Sequence, residues 1–450
     1  MKKVITLVLA LALCGSAVLG CSTAKTTDTT AASATKAETA AASSTAAATT
    51  AAAGPTSITV VTSYGGDDGN RANYEAAVAA YESATGNTVN DASGTSNEEW
   101  KAKIMADFET GAEPDVLFYF NGVDANDLVT NGKVVSIDTI REVYPEYASN
   151  MKDEMIPASP ADGVKYAVPV NGYWEGLYVN KSVLEACGVT VPGADYTWDQ
   201  FLKDCETIKA AGYTPIACSL SEVPHYWFEY TIYNHDSVAT HNVLPASSTD
   251  KAGTAWVSGL NDMKTLFEKG YFPANTLTST DAETFQLMAD NKAAFAIDGS
   301  WKLGWFQENA ANIDDFTVTY VPGANDRAAT DLIGGLSMGY YITEKAWNDP
   351  AKRDACVKFV EAMTTDSVVS TFGATAITAL KNGTTAPVDA DSLTIAALAM
   401  TKGATGVSPA VQDNLNSAAR TELFTGSIKN IVTGNLDAAA AVDQCLAIKG

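Results

Sequence analysis

Histidine is scarce, with three copies in 450 residues, at His225, His235 and His241. Their spacing matches no metal-ligand pattern, and they read as part of a polar loop. H-E-x-x-H is missing, so zinc hydrolysis has no ligand set. No P-loop and no dinucleotide fingerprint is evident. No metal and no cofactor are therefore expected, and serine-hydrolase chemistry is not expected either. Positive charge is also short: 29 Lys plus Arg stand against 53 Asp plus Glu, a net of -24. No basic cluster offsets this, which makes nucleic acid and anionic membrane surfaces poor partners. Past the N-terminus, no run is long and apolar enough to cross a bilayer. Cys-x-x-Cys is absent, and the cysteines that follow the leader, Cys187, Cys205, Cys218, Cys356 and Cys445, are odd in number and scattered. That is no disulfide framework. One bridge within the Cys187, Cys205, Cys218 group stays open. The rest read as small buried hydrophobes.

What is present begins with a leader. Lys2 and Lys3 precede an apolar run, Val4 to Ala12, of signal-peptide length. Val18-Leu19-Gly20-Cys21 then resembles a bacterial lipobox, in which the Cys becomes the first mature residue and carries lipid. Residues 1–20 are expected to be removed, leaving a mature chain near -26 because two lysines go with them. Residues 21–56 are almost all Ala, Thr and Ser. They have no large apolar side chain with which to offset ordering entropy. As a flexible coil, this tether of about 35 residues spans roughly 30–35 Å. About 390 residues remain, enough for two domains.

Those residues alternate strand-like and helix-like segments. Ser57 to Thr62 reads as a first strand, Asn70 to Ala84 as a helix stopped at Gly86, and Ser96 to Glu99 as a capping box. Val116 to Phe120 is an apolar run suited to a strand buried on both faces. Ala167 to Val170 and Leu177 to Val179 read as strands joined through Asn171-Gly-Tyr-Trp-Glu-Gly176. Thr197 to Gln200 opens another helix, and Pro215 to Cys218 and Ala293 to Ile297 are further strands. Pro350 to Met363 and Leu436 to Ile448 are helices. Alternation of this kind predicts a mixed α/β protein with largely parallel sheets. Trp100, Trp198, Trp256 and Trp347 fall on helical patterns and read as core, and Trp305 as packing.

Several stretches, taken in order, resemble the family 1 extracellular solute-binding proteins, the sugar-type receptors of ABC importers. Gly111-Ala-Glu-Pro-Asp-Val116 matches a "G…PDV" strand entry. Tyr166-Ala-Val-Pro169 followed by Gly176-Leu-Tyr-Val-Asn-Lys181 matches "Y-x-V-P … G-L-Y-Y-N-K". Gly188-Val, Pro192 and Thr197-Trp-Asp-Gln-Phe201 match "G-V…P-x-T-W-D-E-F". Gly212 to Ile216 matches "G…P-I", and Lys292-Ala-Ala-Phe with Gly299-Ser-Trp301 matches "G-K-A-A-M…G-S-W". Val179, Phe295 and Asn291 depart from the pattern at positions without chemistry. The resemblance implies a two-lobed periplasmic-binding-protein-like α/β fold with a hinge and an interlobe cleft. Lobe one is expected at 57–168 plus 330–375, and lobe two at 169–329 plus 376–450.

A sugar has apolar C–H faces and a hydroxyl rim. Its site needs flat rings for the faces and fixed donors and acceptors for the rim. In an open α/β sheet such groups belong at strand ends. Trp174 with Tyr173 and Glu175, Trp227 with Tyr226, and Trp301 with Asp298 occupy such positions. Asn121 ends the Val116 strand, Tyr64 and Asp67 lie in the first loop, and Gly335, after Gly334, offers close backbone approach. Asp298 reads equally as a helix cap. The ligand expected from the resemblance is a carbohydrate, captured without catalysis and handed to a membrane permease by a lipid-anchored monomer on the outer face of the cytoplasmic membrane. The alternatives are a tethered glycoside hydrolase, for which Glu175 and Asp298 would be the carboxylate pair, and a binding protein for a non-sugar solute.

Overall fold

A computed structural model describes residues 54–66, 68–385 and 387–449. The leader, Cys21, nearly all of the tether, and Asp67 lie outside the described residues. Eleven strands are described: β1 (Ser57–Val61), β2 (Thr88–Asp91), β3 (Val116–Phe120), β4 (Val168–Pro169), β5 (Tyr173–Asn180), β6 (Thr214–Ile216), β7 (Ala293–Gly299), β8 (Phe316–Thr319), β9 (Asp331–Gly335), β10 (Met338–Ile342) and β11 (Gly406–Ser408). They form two sheets, ordered β2-β1-β3-β10-β4 and β11-β9-β5-β7-β6, with β8 paired to β5.

Strands linked through helices pair in parallel. The helices Arg71–Thr85 and Glu98–Thr110 make β1, β2 and β3 parallel. The sheets are nonetheless mixed rather than largely parallel. β10 runs antiparallel to β3 and β4, and β5 runs antiparallel to β7, β8 and β9. Parallel neighbours need a crossover of about a dozen residues or more. Here 170–172 and 336–337 carry the chain straight from one sheet to the other, too short for a helix.

Period-two alternation explains the cores. Ile58, Val60, Val116, Phe118, Tyr340 and Ile342 face the helices Arg71–Thr85 and Pro350–Met363. Val61, Leu117, Tyr119 and Tyr341 face Trp100, Ile104 and Phe108 of the helix Glu98–Thr110. Both faces of this sheet are covered, which is why the β3 sequence VLFYF is continuously apolar. In the second sheet Leu177, Val179, Phe295 and Ile297 pack on one side, and Tyr178, Ala296, Val318 and Leu332 on the other. Burying each large side chain contributes about 1.5–3 kcal/mol. Trp100, Trp256 and Trp347 are buried and Trp198 packs against the core edge. The five described cysteines are free thiols, four of them buried, so no bridge forms within the 187–218 group.

Several local expectations shift. The first capping residue is Asn97, whose side chain accepts from the Trp100 N–H, rather than Ser96. The segment expected to link two strands is itself strand from Tyr173 onward, since β5 pairs with β7, β8 and β9. His225 opens the helix His225–Tyr233 rather than a loop, directly after Pro224, a residue suited to a helix start. β9, within the segment assigned to lobe one, pairs with β5 and β11 in the second sheet.

The crossovers meet at one place. The Gly172 N–H bonds the Ile377 carbonyl at 2.5 Å, and a Cβ on Gly172 would lie 2.4 Å from the Gly335 oxygen. A Cβ on Gly334 would lie 2.6 Å from the Tyr173 oxygen. Only glycine permits three chain segments to come this close.

Candidate functional site

β5 and β7 build the site. Their register sets Glu175 opposite Gly299. Because Gly299 has no side chain, the Trp301 indole folds back and occupies the space: a Cβ there would lie 2.2 Å from the ring. Tyr173, two residues before Glu175 and on the same face, brings its ring centroid 6.2 Å from Trp301. Tyr226, in the first turn of its helix, brings its ring 6.0 Å from Trp301 on another side. Three tilted rings thus stand at the end of the second sheet, with Trp301 and Tyr226 only partly buried. The Tyr173 hydroxyl accepts from the Ala410 N–H at 3.2 Å, which fixes its ring.

Carboxyl groups lie beneath the rings. Glu175 and Glu229 are 2% and 0% exposed. Burial pushes Glu175 up to about 8, with hydrogen bonding to Glu229 offsetting part of the rise. Glu229 is pushed well above the ordinary carboxylate range by burial and then by the charge of Glu175. The pair therefore retains a proton at neutral pH. The Gln412 amide donates to Glu229 Oε1, while Oε2 of each glutamate has no hydrogen-bond partner among the described residues. Asp298, on β7, is pushed up to about 7 by burial, with Lys302, 3.8 Å away, opposing the rise. Its Oδ1 accepts from the Gly299 N–H at 2.7 Å. Rings beside partly protonated carboxyls with spare oxygens suit a ligand having both C–H faces and hydroxyls.

The halves around the first and second sheets meet over this floor. A cavity of about 160 Å³ is lined by Asn121 and Asp124 from one half and by Tyr173, Gly335, Ala410 and Asp413 from the other. That is below the roughly 300 Å³ at which small-molecule sites begin, so the two halves lie close together at this point. Gly69 also abuts the other half: a Cβ on it would lie 2.7 Å from the Trp301 carbonyl oxygen.

Among the sequence candidates, Trp301, Tyr173, Tyr226, Glu175 and Asp298 come together, and Asn121 and Gly335 line the adjoining cavity. The others are placed elsewhere. Trp174 packs against Tyr178 on the opposite face of β5, 1% exposed. Trp227 stacks on Phe201 at 5.6 Å inside the second core, also 1% exposed. Tyr64 is packed among Phe118, Phe372 and Tyr74 in the first core. Glu229, Gln412 and Asp413 were not anticipated. Glu229 had a signal, as the lone acid in the largely aromatic helix HYWFEYTIY. Gln412 and Asp413 had none.

One motif bears on the expectation that serine-hydrolase chemistry is absent. Gly335-Leu-Ser337-Met-Gly339 has the G-x-S-x-G spacing of a nucleophile elbow. An elbow requires a strand-turn-helix context, and here the segment runs from strand β9 to strand β10. Ser337 lines the cavity, and no histidine or lysine lines it among the described residues.

Two α/β halves, short crossovers between them and an aromatic cleft at their junction define a two-lobed binding protein. The chain belongs to the bacterial extracellular solute-binding protein family, whose model matches residues 66–369. It is 23% identical over 292 residues to a multiple sugar-binding protein of Streptococcus mutans, across 58% of this chain and 67% of that relative. Its fold is similar to that of a chitin oligosaccharide binding protein, with TM-score 0.76, 22% identity, and 87% of this chain and 97% of that one covered. It is also similar to the maltose/maltodextrin-binding domain from Bdellovibrio bacteriovorus bound to maltotriose, with TM-score 0.67, 18% identity and coverage of 87% and 97%.

Proposed function

We propose that the protein is the carbohydrate receptor of an ABC importer, capturing an oligosaccharide between its lobes and delivering it to a membrane permease. The observation that carries this reading is the set of three rings, Trp301, Tyr173 and Tyr226, standing above the Glu175–Glu229 pair at the lobe junction. The rings take the sugar's apolar faces. Glu175, Glu229, Asp298 and Asn121 take its hydroxyls, the neutral carboxyls donating as well as accepting. The closed form makes contacts from both lobes and is therefore favoured by ligand. Cys21 anchors the mature chain by lipid, and the Ala/Thr/Ser tether lets the receptor reach its permease as a monomer.

No chemistry is assigned to the bound sugar. Glu175 and Asp298 have the raised proton affinity that a glycosidase acid needs, so turnover is the outcome to look for. The test is thermal unfolding of the purified domain against mono- and oligosaccharides, with chromatography of the recovered sugar. A rise in Tm with intact sugar supports the receptor; cleaved products overturn it. Cys21→Ala should release the protein to the medium, and retention at the membrane would count against the anchor.

A further inference from the structure

Beside the cavity, which Asp124 and Asp413 also line, the two halves are joined by a buried ion cluster whose arginine the sugar-binding reading does not use. Arg420 lies on the helix Ser417–Thr421, whose neighbours Ala419 and Leu423 belong to the second core. Its side chain is 4% exposed. Nη2 bonds Asp124 Oδ1 at 2.6 Å, and Nε bonds Glu98 Oε1 at 3.3 Å. Glu98 begins the helix that carries Trp100 and Ile104 into the first core, and Asp124 lies in the turn after β3. The Ser417 hydroxyl donates to the other Glu98 oxygen at 2.6 Å. Lys101, from the first half, holds Asp124 at 3.0 Å and Glu98 at 3.0 Å. Asp124 is 7% exposed.

We infer that Arg420 is a closure latch, a positioning residue that sets the balance between open and shut lobes without being part of the ring-and-carboxyl floor. The inference rests on the two-lobed closing motion proposed above. Its bonds to Glu98 and Asp124 exist only when the halves are together, so they contribute differentially to the closed state. The guanidinium fork suits this role because it engages two carboxylates at once. Lys101 stays with Glu98 and Asp124 on opening, which keeps those acids partly compensated. Arg420 leaves with Asp413, whose Oδ1 is 3.9 Å from its Nη1. Each lobe therefore carries its own partial counter-charge when apart, and the latch can release and re-form.

The test places a spin label on each lobe of the full domain, at exposed Lys103 and Asn430 after their change to cysteine, and reads the interlobe distance distribution without any sugar. Arg420→Gln should shift the shut-to-open ratio toward open by about tenfold, within the range typical of site-to-site coupling. Glu98→Gln should do so more weakly. Arg420→Lys should recover part of the effect, since one ammonium replaces one of two contacts. The Glu98→Gln/Arg420→Gln double variant should open less than the product of the two single effects. Equal melting of all variants within a few degrees shows that both cores are intact. A distribution unchanged by Arg420→Gln in a folded protein overturns the latch, as does a strictly multiplicative double variant. Because no sugar enters the measurement, failure of the carbohydrate reading would show up separately, as a panel without a binder.

Discussion

Gly299 is where the smallest change should do the most to the site. Its backbone is outside the left-handed region, so alanine is conformationally acceptable there. The added Cβ would nonetheless sit 2.2 Å from the Trp301 indole, where ordinary contact begins near 3.4 Å. The ring must move by at least the difference, about 1.2 Å. Trp301 is partly exposed and its indole is a side-chain end rather than backbone, so it can swing aside. The stability cost of Gly299→Ala should therefore stay within about 1 kcal/mol. The binding cost should be larger. A well-placed ring contact contributes about 0.5–1.5 kcal/mol beyond burial, so losing it should weaken sugar binding up to about tenfold. The assay is calorimetric titration with a sugar that raises the Tm of the unaltered protein, beside tryptophan emission spectra. A shifted spectrum with unchanged affinity would refute the role given to Trp301. An unshifted spectrum would refute the steric account of its seat.

Three further outcomes follow from the same structure. Trp301→Ala should weaken binding with little change in stability, whereas Trp227→Ala should cost about 3–5 kcal/mol of stability through the cavity it leaves; chemical denaturation of both distinguishes a site ring from a core ring. Glu175 and Asp298 hold protons when folded, at about 8 and about 7, that the unfolded chain gives up near the ordinary carboxylate values. The stability this brings is complete below about pH 4 and lost as pH rises through 7 and 8, so Tm should fall between pH 5 and pH 9 and fall less in Glu175→Gln; a Tm that rises over this range would contradict the assignment. Arg327 is 3% exposed and donates to the carbonyls of Val321, Asp331 and Pro322 and to the Asn234 side chain, with Tyr230 and Tyr233 near its guanidinium. Arg327→Met should cost at least about 1–3 kcal/mol by stranding those neutral acceptors, and a loss under 1 kcal/mol in denaturant titration would show that water replaces it.

Elements with a strong local code were legible in the sequence. Pro350–Met363 begins at its proline and ends as its apolar periodicity does, and VLFYF reads directly as a strand covered on both sides. Trp301 stood out as a candidate because Asp298-Gly-Ser-Trp301 directly follows an apolar strand. The strand ends were not. Glu175 and Gly176 look like loop, but pairing of β5 with strands more than a hundred residues away makes them strand. That extension settles which face each residue takes, and so sends Tyr173 to the cleft and Trp174 to the core. Sheet direction was equally hidden, since it depends on where the chain changes lobes. Glu229, Gln412 and Arg420 reach the lobe junction only through the packing of helices distant in sequence.

The rings and carboxyls at the lobe junction are proposed to hold an intact sugar. Native mass spectrometry of the domain mixed with an oligosaccharide panel tests this most directly. A one-to-one complex is expected with at least one oligosaccharide, at the unaltered sugar mass, depleted in Trp301→Ala. No complex with any sugar, or a complex carrying only shortened products, would contradict it.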